Sequence, residues 1–135
     1  MKRDSYLLIQ CEDGKRCICI DVLNESVIIE FLNEDETRLK RFNYSIGIIL
    51  RGLRNKDIYS KEDINGKASN VTAIKMFKGG QNIRLYCKEQ KINLGVLYII
   101  IAELLPKKKD QKAVGKSKSL IEKVSTYEYT IIERK

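Results

Sequence analysis

The chain contains no histidine. Ser-His-Asp and Cys-His catalytic machinery therefore cannot exist in it, and any metal would have to be held by thiolates or carboxylates alone. There is one proline and there are eight glycines, so disordered, collagen-like and low-complexity classes fit poorly. Long apolar runs are missing too. The longest, Val96 to Ala102, falls far short of the ~18 residues that a membrane-spanning helix needs. Near the N-terminus the apolar stretch Tyr6 to Ile9 is shorter than the ~7–15 residues of a secretory core. A cytoplasmic protein with no membrane association is expected.

What is present is the composition of an ordinary globular protein, 43% hydrophobic and 33% charged over 135 residues. That length suits a single domain spanning 1–135, which would bury roughly 68–70% of its unfolded-chain surface and needs no covalent staples. The four cysteines, Cys11, Cys17, Cys19 and Cys87, are accordingly read as reduced thiols. Cys17 and Cys19 share one face of a strand, but a zinc site would want a fourth nearby ligand and a longer knuckle, so they read as small core residues. Lys78 beside Gly79-Gly80 lacks the G-x-x-x-x-G-K pattern of a phosphate loop and reads as a strand connection. The acids form no paired-carboxylate constellation. No metal and no cofactor are expected.

Charge is unevenly spread. Residues 1–67 carry 12 Lys+Arg against 12 Asp+Glu, while residues 68–135 carry 14 against 6. The whole excess of +8 lies in the second half, the electrostatic footprint of a polyanion binder. The plainer alternative is a solvated basic surface that aids solubility.

Periodicity organises the chain. Tyr6–Gln10 and Cys17–Asp21 flank Asp13-Gly14 and read as a hairpin. Asn24 stands as an N-cap before a short helix with Val27, Ile28, Phe31 and Leu32. From Thr37 the apolar positions Leu39, Phe42, Ile46, Ile49, Leu50 and Leu53 fall on one helical face, with acids Glu34–Glu36 ahead and bases Arg51, Arg54 and Lys56 toward the end. Ser60 to Asn70 reads as a polar loop. Three antiparallel strands are expected at Val71–Phe77, Asn82–Lys88 and Val96–Leu105, the second placing Arg84 and Tyr86 on the face away from the core. Pro106 stops the third, the basic segment Lys107–Lys118 follows, and a helix is expected over about Ser117–Thr126. Beyond it, Tyr127, Tyr129 and Ile131 fit either a helix or a strand.

One constellation of basic and aromatic residues stands out. It comprises Lys75 and Lys78 at the end of one strand, Arg84 and Tyr86 on the next, Lys107, Lys108 and Lys109 after the third, and Tyr127 and Tyr129 beyond. Arg and Lys clamp phosphate, and Tyr stacks on bases or donates a proton. On the residues alone, the lysines and Arg84 facing solvent, with the tyrosines packed at a sheet edge, is an equal alternative.

The order of elements resembles the RelE/ParE superfamily of bacterial toxin–antitoxin toxins. Val27–Leu32, the helix Leu39–Leu53, Ile74–Lys88 with Ile83-Arg84-Leu85-Tyr86, and Val96–Lys112 carry the likeness. It implies an α+β fold: an N-terminal hairpin or strand and two helices packed on a twisted antiparallel sheet of three to four strands, with a C-terminal helix. It implies a ribosome-associated endoribonuclease, an mRNA interferase that inhibits translation and is held in check by an antitoxin protein. By position in the family, Lys75 would be the general base for the ribose 2′-OH, Arg84 would hold the scissile phosphate, and Lys108 and Lys109 would neutralise the transition state. Lys78, Tyr86, Lys107, Lys112, Tyr127 and Tyr129 would contact the mRNA. Such chemistry needs a base, charge stabilisation and a clamp, but no metal. The lack of histidine excludes those relatives that use it, and the N-terminal hairpin is longer than the family's first strand. Two alternatives stand beside this reading: a ParE-like inhibitor of DNA gyrase, and a non-catalytic nucleic-acid-binding module.

Overall fold

The computed structural model describes residues 1–10, 14–62, 70–76, 82–91, 95–106 and 116–133. Its elements run β1 (Lys2–Gln10), β2 (Arg16–Asp21), α1 (Glu25–Asn33), α2 (Glu36–Leu50), β3 (Tyr59–Lys61), β4 (Val71–Met76), β5 (Ile83–Lys91), β6 (Leu97–Leu105), α3 (Lys116–Ser125) and β7 (Glu128–Ile132). All strands join one seven-stranded sheet in the order β3-β4-β5-β6-β2-β1-β7.

This corrects the expected three-to-four-stranded antiparallel sheet. The hairpin β1–β2 forms as expected, but β2 then pairs in parallel with β6, Ile18 opposite Ile99 and Ile20 opposite Ile101. β7 adds in parallel to β1, and the sheet is therefore mixed. The short β3 pairs with β4 inside what reads from sequence as a polar connection.

Helices cover both faces, which is the second correction. On one face α1 and α2 bring Ile28, Leu32, Phe42, Ile46 and Ile49 onto Ile18, Ile20, Leu85, Cys87, Ile99 and Ile101. On the other, Ile121 and Val124 of α3, Tyr127 of the turn that follows and Tyr129 of β7 meet Cys19, Val71, Ala73, Tyr86 and Ile100. Alternate residues of β2, β5 and β6 feed the two cores, as the two-residue period of a strand requires. β2 and β6 are apolar on both sides for this reason.

The helix ends are set locally. At α1, Asn24 holds the N-cap position without capping; its side chain donates to the Ala102 carbonyl at 2.7 Å, while the Asp21 carboxylate accepts from the Leu23 and Asn24 amides. At α2, the Asp35 side chain accepts from the Thr37 amide at 2.8 Å, and this bonding to Thr37 holds the carboxyl below the usual range. The helix stops at Leu50, short of the Leu53 that its apolar spacing suggests. Gly52, at φ +73°, donates to the Ile49 carbonyl and Leu53 to the Ile48 carbonyl, a paired closure that needs a left-handed residue. Arg51, Arg54 and Lys56 thus lie past the helix, and Arg16 from β2 bonds its C-terminus instead, Nη1 to the Ile49 carbonyl at 3.0 Å.

Among the described residues no helix is long and apolar enough to cross a membrane. Cys17, Cys19 and Cys87 are buried free thiols, and Cys11 lies outside the described residues.

Candidate anion-binding site

The residues expected to act on RNA fall into three groups. Lys78, Lys107, Lys108, Lys109 and Lys112 lie outside the described residues, as does Gly79-Gly80. Lys75 and Arg84 come together as register partners on β4 and β5. Their side chains are engaged, however: Lys75 Nζ donates to the Lys56 carbonyl at 3.3 Å, and Arg84, only 9% exposed, pairs with Glu62 at 3.3 Å. The tyrosines form the third group, and all of them are enclosed.

Tyr86 is fully buried with its hydroxyl 2.6 Å from Ser117 Oγ; Tyr127 donates to Glu103 and Tyr129 to Asp21. Burial raises the pKa of each. The physical reason is α3. An open sheet face would have left Tyr86 in water, but α3 packs over it, bringing Ile121 and Val124 into the same core. Lys88, on the same face, is held by the last carbonyl of α3, Nζ to Ser125 O at 2.6 Å, and desolvation lowers its pKa against the pull of Glu128.

The buried acid Asp21 explains where Tyr129 goes. Its carboxylate is wholly enclosed and accepts from Tyr129 Oη (2.6 Å), Arg3 Nε (2.7 Å), Arg3 Nη2 (3.1 Å) and the amides of Leu23 (2.8 Å) and Asn24 (3.0 Å). Arg3 also lies 4.3 Å over the Tyr127 ring, which meets Tyr129 edge-on at 5.9 Å. A fully satisfied network of this kind locks β1, β2 and β7 together. The outer edge of β7 is occupied as well: the Gln90 side chain accepts from the Tyr129 amide and donates to its carbonyl, as a strand partner would.

A different cluster remains open to solvent. Between the end of α2 and the sheet lies a cavity of about 730 Å³, lined by Ile49, Leu53, Tyr59, Leu97 and Ile99 and by the cations Arg16, Arg54, Lys56, Lys61 and Lys75, with Glu89 as the one acid among the described residues that line it. Its size falls in the range of small-ligand sites. The turn that carries Arg54 and Lys56 is stiffened by local bonds: Asn55 accepts from the amides of Asp57, Ile58 and Tyr59. Arg54, Lys56 and Lys61 are exposed, and their side chains have no ion-pair partner among the described residues. Glu89 is already engaged, accepting from Tyr59 Oη at 2.6 Å.

Five cations against one acid make a field that favours an anion, and the apolar walls suit an uncharged, flat or greasy moiety attached to it. Among the described residues no cluster of carboxylates and thiols is placed to hold a metal. Sequence reasoning missed this cavity because its cations are drawn mostly from the half whose net charge is zero. The signal available was the run Arg51-Gly52-Leu53-Arg54-Asn55-Lys56, a basic turn at a glycine-closed helix end.

Compared with protein-family models, curated proteins and solved structures, the chain matches none, and nothing identifies it as a RelE/ParE-superfamily toxin.

Proposed function

We propose that the chain is a non-catalytic binding module for single-stranded nucleic acid, with the cavity beside α2 as its contact point. The observation that carries this is the convergence of Arg16, Arg54, Lys56, Lys61 and Lys75 from separate segments onto one apolar-walled cavity. Phosphates supply the charge such a rim attracts, and an unpaired strand offers a base to an apolar recess without the cost of unpairing it. The RelE-like resemblance would have Tyr86, Tyr127 and Tyr129 contact mRNA, whereas all three are enclosed.

The test is fluorescence anisotropy with a short single-stranded RNA and a duplex of the same length, across a series of salt concentrations. Preference for the single strand is expected, with log K falling against log salt by about 0.7 per neutralised phosphate. Lys56→Ser with Lys61→Ser should flatten that slope by roughly 1.4. No salt-dependent binding, or an equal slope in the double variant, overturns the reading.

A further inference from the structure

Among the cations of the cavity, Glu89 is chemically out of place. A carboxylate repels phosphate, so it does not serve the rim; it serves whatever lies deeper. It is also held in place: Tyr59 donates to Glu89 Oε2 at 2.6 Å and in turn accepts from Thr72 Oγ1 at 2.8 Å, and the other carboxylate oxygen has no hydrogen bond among the described residues. Burial pushes the Tyr59 pKa up, so the hydroxyl stays a donor. The result is a fixed, acceptor-only group in the lining of an apolar recess.

Resting on the nucleic-acid reading above, we propose that the cavity is a base-reading subsite selective for guanine, with Glu89 accepting from the base and Arg54, Lys56 and Lys61 facing its phosphate. The four bases present different edges to a carboxylate. Guanine offers two adjacent donors, the N1–H and the exocyclic amine, which match two carboxylate oxygens. Adenine and cytosine place a ring acceptor beside their amine, and uracil flanks its one N–H with carbonyls, so each sets a lone pair against the carboxylate. The charge pattern fixes the orientation as well. The phosphate is driven to the rim by its own repulsion from Glu89, which leaves the base between Tyr59, Leu53 and Leu97.

The experiment is calorimetric titration of the full chain with GMP, AMP, CMP, UMP and inosine monophosphate, run beside RNA binding. GMP should bind at least about fivefold tighter than the other three common nucleotides, the lower end of a bidentate base contact. Inosine monophosphate lacks the exocyclic amine and should lose most of that preference, a readout that needs no variant to fold. Glu89→Gln swaps one acceptor for a donor and should abolish the guanine preference. RNA binding with all four nucleotides equal, or inosine monophosphate equal to GMP, overturns the guanine subsite and leaves the binding module standing. Guanine preference without RNA binding supports the subsite and overturns the module.

Discussion

Replacing Asp21 by Asn tests the buried junction of β1, β2 and β7. Five donors converge on this carboxylate, two from Arg3, one from Tyr129 and two from the backbone of the turn into α1. An amide can keep its oxygen toward the Leu23 and Asn24 amides, but its NH2 then confronts the Tyr129 hydroxyl and the Arg3 Nε, and the Arg3 charge loses its partner. Because the Asp21 and Arg3 side chains are only 0% and 12% exposed, the change belongs with broken buried pairs, which cost about 3–5 kcal/mol. Tyr129→Phe removes a single hydrogen bond to a charged group and should cost less, about 1.5–3 kcal/mol. In an Arg3→Met background the Asn amide can donate to the Tyr129 oxygen, so Asp21→Asn should there cost only about 1 kcal/mol. Urea unfolding at pH 7 reads all of these. With a slope near ~1.5 kcal/mol per molar, Asp21→Asn should lower the midpoint by about 2–3 M. Amide exchange should show β7 opening first, with Tyr129 the sensitive probe, since only the Gln90 side chain guards its outer edge. A cost below about 1 kcal/mol for Asp21→Asn, or the same cost with and without Arg3, would refute this reasoning.

Gly52→Ala puts a side chain at φ +73° and within 3.2–3.3 Å of the Arg16 guanidinium, so a loss of about 1–2 kcal/mol is expected, visible as a lowered urea midpoint; an unchanged midpoint would mean that the helix end is not closed as described. Stability should fall as pH rises above about 9. The folded state holds the Cys19 proton up to about 12, against an ordinary value of 9.0, and keeps the Cys87, Tyr59 and Tyr129 protons longer than the unfolded chain does. Unfolding therefore releases protons in that range, at about 1.4 kcal/mol per pH unit for each, and the lowered pKa of Lys88 opposes with only one. Urea midpoints level from pH 8 to 10.5 would contradict this, and Cys19→Val should make the decline shallower. Tyr86→Phe should cost about 1 kcal/mol through the lost Ser117 bond and leave nucleic-acid binding unchanged, because the ring lies in the core; weakened binding by a well-folded variant would return Tyr86 to the site.

Elements with strong local periodicity were legible in the sequence. The hairpin around Asp13-Gly14, the apolar face of α2, the strands β4 to β6 and the helix α3 all announce themselves through spacing and turn residues. What could not be read locally was pairing. That β2 meets β6 rather than standing apart depends on contacts between distant residues, and its apolar run from Cys17 to Ile20 suits a strand covered on both faces without naming its neighbour. β3 is three residues long, too short for alternation to register, and Tyr127 to Ile131 fits two periods at once until Arg3 and Asp21 decide for the strand. The site was hidden for a related reason. Counting charge along the chain pointed to the second half, whereas folding gathers Arg16, Arg54, Lys56 and Lys61 from the neutral first half around one cavity. Arg84 and Tyr86 do alternate away from Leu85, but a second helical layer turns that face into core.

The most direct test of the binding face is an NMR titration of the uniformly labelled chain with a short single-stranded RNA, following amide shifts residue by residue. The expected result is a contiguous set of perturbations from Leu53 to Lys61, joined by Arg16, Lys75 and Glu89, with β7 and α3 unmoved. Perturbations centred on Tyr86, Tyr127 and Tyr129, or none along the α2–β3 connection, would contradict it.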